Sequence, residues 1–433
     1  MLYRCQHLVT MDGPPLQDGG VVVRGTTVAA AGHWADVRRE FPDEEAEDLG
    51  AVTLLPGFVN AHCHLDYSTL RHAILPPKNF SEWVGRINAL KRTLDQDDYL
   101  AAIARGFREF AKWGTTTVLN IESFPELMWK MPPPPLRTWW FYEMIDVRRV
   151  VPTEEIVAGA LLFFQQAAEG HCPDQWLGGT GLSPHAPYTA SRDLYRLTRA
   201  CARQTGMPWT THLGESADER AMFVEGRGPL HAFLAGIGRP MDDCGHGRSA
   251  LAQLTAAGCL GPECLAVHLN DWEPEDFDLV APGGPLAGMT VVHCPRSHRY
   301  FRHTPFPWAR LRGLGVNLCV GTDSPASDGS FSLLDELRAA AEAEPGMTPQ
   351  EWLETVTVRP ARALGLEEKL GRIRPGAWAD LAALPCGGSA PAPSNPAADH
   401  RPPLTGSPDG NIYAEVLACH EPTVWRMVNG QAL

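Results

Sequence analysis

The apolar positions of this chain come in short runs, and longer segments with helical spacing separate them. The strand candidates are residues 53–60 (TLLPGFVN), 115–120 (TTTVLN), 137–146 (RTWWFYEMID), 176–183 (WLGGTGLS), 207–214 (MPWTTHLG), 264–270 (CLAVHLN), 289–295 (MTVVHCP) and 316–323 (VNLCVGTD). Most are rich in β-branched or aromatic residues. Between them lie amphipathic stretches such as DDYLAAIARGFREFAKWG and LYRLTRACARQTG. These end at Gly, as helices often do. Repeated strand–helix alternation predicts parallel strands with crossover helices. Eight such units predict an α/β fold closed as a (β/α)8 TIM barrel. A doubly wound open sheet is the alternative.

The two ends of the chain read differently. Residues 1–52 contain short alternating runs such as GGVVVRGTTVAAAG, which is hairpin chemistry. The tail EVLACHEPTVWRMVNGQAL is strand-like. If the ends pair, they form a small β-sandwich domain, with residues 1–52 as its N-terminal part and 366–433 as its C-terminal part. The catalytic barrel then spans 53–365. Within the C-terminal part, CGGSAPAPSNPAADHRPPLTGSPDG (386–410) is rich in Pro, Gly, Ser and Ala. That composition predicts a surface loop or disordered insertion. No internal repeat is visible.

Composition narrows the class. At 433 residues, 44% hydrophobic and 20% charged, the chain is globular and long enough for a large barrel with a smaller domain. A formal net charge of −14 argues against a nucleic-acid partner, which needs a basic surface. The start, MLYRCQHLVTMDG, has no basic region followed by a long apolar run, and no later stretch is long enough to span a membrane. A cytoplasmic protein with a small-molecule substrate is the expectation. The eleven cysteines are scattered, without a CxxC pair, and read as reduced, buried small hydrophobes.

Candidate chemistry gathers at the ends of the apolar runs. In NAHCHLD, His62 and His64 are two apart, and on a strand such positions share a face, so both imidazoles can converge on one point. Cys63 between them should point away. In TTHLGES, His212 ends another run and Glu215 follows three residues later, where a general base could stand beside a metal site without ligating it. In VGTDSPASD, Asp323 ends the last run. Taken singly, each has a bland reading: a satisfied core histidine, or an Asx turn at Asp323. Together, three imidazoles and a carboxylate suit Zn²⁺ or another divalent first-row metal. Three more histidines close runs in the same way: His185, His268 and His293. Random placement of sixteen histidines would not favour one rim of a barrel.

These motifs resemble the amidohydrolase superfamily. They are most similar to the branch with cytosine, guanine, adenosylhomocysteine and aminodeoxyfutalosine deaminases and the triazine chlorohydrolases. The resemblance runs through PGFVNAHCHLD (56–66), LSPHAPYTAS (182–191), THLGES (211–216), VVHCPRS (291–297), GTDSPAS (321–327) and GRIRPGAWADLAAL (371–384). It implies that His62, His64, His212 and Asp323 ligate the metal and that Glu215 shuttles protons. His268 would contact the attacking oxygen or the reacting centre, and Asp323 would also take a proton from the attacking water. His185 would meet the substrate. Glu82 and Trp83, in FSEW, match a loop element that contacts substrate in some deaminases; a helix cap and a core Trp are the bland reading. One departure stands out. The branch usually shows HCPxSN on its seventh strand, whereas this chain has HCPRSH, which puts His298 on the substrate side where Asn is expected.

Two-metal members carry a modified lysine on strand four. Here the lysines are Lys78, Lys91, Lys112, Lys130 and Lys369, so strands four to eight carry none. One divalent ion follows unless a Glu or Cys replaces that lysine, with zinc first and iron or manganese as alternatives. The expected enzyme hydrolyses a non-peptide carbon–nitrogen bond, first by deaminating an aminated purine, pyrimidine or related nucleoside. Opening of a cyclic amide or ureide comes second, and dechlorination of a triazine third. A non-catalytic metal-binding barrel would predict loss of Glu215 or of a ligand, and all are present. The resemblance also carries an expectation of a homodimer.

Overall fold

The computed structural model describes residues 1–170, 176–327, 329–386 and 411–433. From residue 387 onward, the expected insertion at 386–410 lies outside them.

The barrel forms as the alternation predicts. Its strands are β1 (Phe58–Cys63), β2 (Thr115–Glu122), β3 (Arg137–Met144), β4 (Gly178–Pro184), β5 (Trp209–Leu213), β6 (Cys264–His268), β7 (Thr290–His293) and β8 (Asn317–Val320). They lie side by side in sequence order, and the ladders from β3 through β8 are parallel. A parallel bridge between Cys63 and Asp323 brings the eighth strand's exit back to the first. Every residue of β1, β2, β5, β6, β7 and β8 is buried. Strands covered on both faces read as unbroken apolar runs rather than as alternation, which is why the runs were so plain in the sequence. The crossover between β4 and β5 is a helix, Arg192–Thr205; Ser191 caps its start and Gly206, in the left-handed region at φ 74°, ends it.

The first expected strand, 53–60, is in fact two. Val52–Pro56 belongs to a second sheet, and β1 begins only at Phe58. The break is at Gly57, where a Cβ would sit 2.1 Å from Thr116 and where the amide bonds to the Asp380 carbonyl. An uninterrupted apolar run hides that change of sheet.

The second sheet is built from both ends of the chain, in the order Gln431–Ala432, Trp425–Val428, Leu381–Pro385, Val52–Pro56, Leu2–Leu8, Leu16–Arg24, Thr27–His33, with Ala46–Asp48 also on Leu2–Leu8. Leu381–Pro385 runs antiparallel to Val52–Pro56 and joins the two ends. Val21, Leu54, Leu381 and Met427 pack in one core on it. The strand-like reading of the tail fails at its start, residues 415–418, which end the helix Ile412–Ala418; the Asn411 side chain caps that helix by accepting from the amides of Tyr413 and Ala414.

Two compact units result. One is Asn60–Phe107 with Val118–Phe331; the other is Met1–Val59, Arg108–Thr117 and Ser332–Leu433. Among the described residues, no helix is long and apolar enough to cross a membrane. The ten described cysteines are free, most of them buried.

Candidate active site

All the strand-end histidines lie in the first unit. His62 is in β1 and His64 just beyond it, and their rings stand 4.9 Å apart, edge to face. Between them Cys63 turns the other way, with Sγ 3.7 Å from the Leu119 carbonyl and from Asn120 Oδ1. Asn60 ties this strand to the chain leaving β8: its Nδ2 donates to Thr322 Oγ1 (2.8 Å) and its Oδ1 accepts the Thr322 amide (3.1 Å). Asp323 follows in the left-handed region at φ 54°, which Asp enters more readily than most side chains. Ser297 and Ser327 donate to its Oδ2 at 2.7 and 3.2 Å, leaving Oδ1 facing the histidines.

There the polar atoms converge. His64 Nε2 is 3.1 Å from His212 Nε2, and Asp323 Oδ1 is 3.6 Å from His62 Nε2 and 3.8 Å from His64 Nε2. His268 Nε2 is 3.5 Å from Glu215 Oε1. The ligand atoms of His62, His64 and His212 lie within 4.8 Å of one another, as do those of His62, His268 and Asp323. His62 Nε2 and His268 Nε2 are buried without a hydrogen-bond partner. Such orphaned groups are rare and call for an occupant. Nitrogens bound to one zinc at about 2.0–2.1 Å and tetrahedral angles stand roughly 3.3 Å apart. The residues present therefore fit a divalent ion. His212 Nδ1 is 2.9 Å from the His185 carbonyl, a contact that places its proton there and leaves Nε2 as the free donor atom.

Protonation favours the same use. Burial pushes the His62, His64 and His268 imidazoles well below their ordinary range and brings His212 and His185 to about 4. All are neutral at pH 7, as metal coordination needs. Burial first, then Asp323 and Glu219, pushes the Glu215 carboxyl well above the carboxylate range. Perturbed groups in such a cluster mark a functional site.

The known proteins this chain resembles agree with that chemistry. The amidohydrolase family model matches residues 53–416. The chain belongs to the amidohydrolase family. It is 32% identical to the aminodeoxyfutalosine deaminase of Deinococcus radiodurans over 81% of this chain and 82% of that one. It is 28% identical to the 5-methylthioadenosine/S-adenosylhomocysteine deaminase of Pyrococcus furiosus over 85% and 83%. The crystal structure of an adenosine deaminase from Xanthomonas campestris with bound zinc superposes with a TM-score of 0.78 at 22% identity, covering 100% of this chain and 92% of that one. This amidohydrolase is a metal-dependent hydrolase of carbon–nitrogen bonds other than peptide bonds.

The remaining sequence candidates are placed as follows. The His185 ring is 5.0 Å from His212, with Nε2 3.9 Å from Glu143 Oε1 and Nδ1 2.6 Å from Thr189 Oγ1. Glu82 and Trp83 are in the helix Phe80–Lys91. Glu82 accepts the Lys78 amide at 2.8 Å and pairs with Arg86 at 2.7 Å, so its carboxylate serves its own helix start. Trp83 packs on Phe80 (6.1 Å) and Phe301 (5.4 Å). His298 Nε2 is 2.8 Å from the Thr304 carbonyl, and its ring lies between His293 (5.0 Å) and His303 (5.4 Å). Of these three, His298 meets a strand-end histidine, His293, at 5.0 Å. Residues the sequence reading passed over include Tyr67, stacked on His64 at 5.3 Å, and Glu143. Ser297 and Ser327 lay within motifs already singled out, but a serine hydroxyl carries no spacing signal of its own.

Proposed function

We propose that this amidohydrolase removes the amino group of an adenine-type nucleoside by hydrolysis, with His62, His64, His212 and Asp323 holding one divalent ion, zinc first. The observation that carries the reading is the Glu215–His268 pair at 3.5 Å beside those four side chains. Relatives named for aminodeoxyfutalosine, methylthioadenosine and S-adenosylhomocysteine deamination give the substrate class. The bound zinc of the Xanthomonas enzyme supports the metal.

A divalent ion there lowers the pKa of water and polarises the reacting centre. The protein's own groups handle the protons. Glu215, ionised beside the bound ion, takes a proton from the attacking water. The water oxygen bonds to the ring carbon that carries the amine. Glu215 returns the proton to the leaving nitrogen, the carbon–nitrogen bond breaks, and ammonia and an oxo-purine result. His268, neutral and aimed at the same place, steadies the attacking oxygen. Asp323, fixed by two serine hydroxyls, takes the second proton from the added oxygen, and that proton passes on to the ring nitrogen of the oxo-purine. His185, just beyond β4, meets the substrate, with Trp83, Glu82 and His298 as contacts for the rest of the nucleoside. A leaving chloride needs no proton, so dechlorination would make Glu215 less necessary, using it only to deprotonate the attacking water.

Turnover in oxygen-18 water tests the reaction type. One labelled oxygen should enter each purine product, with one ammonia released. Unlabelled product, or product without ammonia, would rule out hydrolytic deamination.

A further inference from the structure

The loop that carries Glu215 is held in an unusual way. Glu219 is the third residue of the helix Ala217–Glu225, whose N-cap is Ser216. A glutamate at that position ordinarily turns back to the amide of the cap residue itself. The helix Pro349–Glu354 shows this arrangement, with Glu351 bonded to the Thr348 amide at 2.7 Å. Glu219 instead reaches past the cap. Its Oε1 accepts the Gly214 amide at 2.9 Å and its Oε2 accepts the Glu215 amide at 3.0 Å.

The other side of the same short segment is fixed as well. Asn270 Nδ2 donates to the Glu215 carbonyl at 3.0 Å, and the amides of Asn270 and Asp271 donate to the Gly214 carbonyl at 2.8 and 3.0 Å. Gly214 has φ +57°, and a Cβ there would press on Leu269 and on the Asp271 carbonyl at 3.1 and 3.2 Å. Glu219 is 1% exposed, so its carboxylate has been taken out of water for these two bonds. A buried carboxylate that spends one oxygen on the amide of the reacting glutamate and the other on the amide just before it does more than start a helix.

We propose that Glu219 is a positioning residue for Glu215: the two-amide clamp sets the backbone from which the Glu215 carboxylate meets His268 and the reacting atoms. This rests on the proton-shuttling reading of Glu215. Held in the right place, the Glu215 carboxylate transfers its proton over hydrogen-bond distance. Released, it samples other rotamers and turnover falls, while substrate binding is left much as it was.

The test is a double-mutant cycle with Glu219→Gln, Glu215→Gln and their combination, reading kcat, KM, metal content and melting temperature. Glu219→Gln keeps the shape but can accept only one of the two amides. It should lower kcat about tenfold or more, with KM within about threefold and full metal content. In the Glu215→Gln background it should lower kcat no further. Ser216→Ala is the control, because it removes the cap hydroxyl of the same helix, which accepts the Glu219 amide at 3.3 Å, and leaves the clamp in place. It should lower the melting temperature and leave kcat unchanged. Fully additive losses in the double mutant, or an equal loss of kcat in Ser216→Ala, would overturn the proposal. Near-wild-type kcat in Glu219→Gln would do so too. Near-wild-type kcat in Glu215→Gln alone would instead overturn the underlying mechanism. If Glu219→Gln fails to fold, Glu219→Asp, which cannot reach both amides, takes its place in the cycle.

Discussion

His64 Nε2 faces His212 Nε2 at 3.1 Å, with the two rings within 6° of parallel. The two side chains come from strand ends 148 residues apart in sequence, and both are neutral. Two lone pairs aimed at one another repel unless a proton or a cation lies between them. With His62 and Asp323 beside them, a divalent ion is the natural occupant. His62→Ala or Asp323→Ala should each reduce bound metal to near zero and abolish activity. Elemental analysis that finds full occupancy in both variants would contradict this ligand set.

Glu215 separates a catalyst from a metal binder. Glu215→Gln keeps the shape and loses the proton. General acid–base help is worth roughly 10²–10⁴-fold, so kcat should fall by that much with metal content unchanged. A variant that turns over at the wild-type rate would refute the role.

Glu219 has a consequence for stability. Burial, the larger influence, and Asp271 raise its carboxyl to about 7 from 4.5, against the two amide bonds, which lower it. In the folded state it therefore holds a proton that the unfolded chain has lost. Between about 4.5 and about 7 the folded state binds more protons, so this group's contribution to stability falls as pH rises. Above pH 7 the penalty is constant, at most roughly 3 kcal/mol. The melting temperature of wild type minus that of Glu219→Gln should therefore decline across this window and then level off. A difference independent of pH would show that Glu219 titrates as an ordinary carboxylate.

Trp83 tests the substrate contacts proposed for the helix Phe80–Lys91. It packs on Phe80 and Phe301 rather than on the metal cluster, so it should affect binding more than chemistry. Trp83→Ala should raise KM about tenfold, with kcat within about threefold. A loss confined to kcat would place it at the reacting centre instead.

Much of the barrel and the strand-end histidines were legible because parallel strands buried on both faces leave unbroken apolar runs, and one rim of a barrel gathers their C-terminal ends. His62, His64, His212, His268 and Asp323 all sit at such ends. The change of sheet at Gly57 was not legible, because the apolar run continues through it. The helix at Ile412–Ala418 was missed because seven residues give too little period to outweigh an apolar run. Glu219 reads as an ordinary helix-start glutamate, and only coordinates show its carboxylate passing the cap to reach Glu215. Ser297 acts on Asp323 through folding that brings residues 26 positions apart together, which no local pattern encodes; Ser327 is only four residues from Asp323, but a serine in a turn carries no signal of its own.

The most direct measurement is ammonia release by metal-replete protein from aminodeoxyfutalosine, methylthioadenosine, S-adenosylhomocysteine and adenosine, with cytosine, guanine, a cyclic ureide and a chlorotriazine alongside. Stoichiometric ammonia is expected from at least one adenine nucleoside, at a kcat/KM far above that for the other compounds. No ammonia from any adenine nucleoside, with turnover of the ureide or the chlorotriazine, would contradict the proposed deamination.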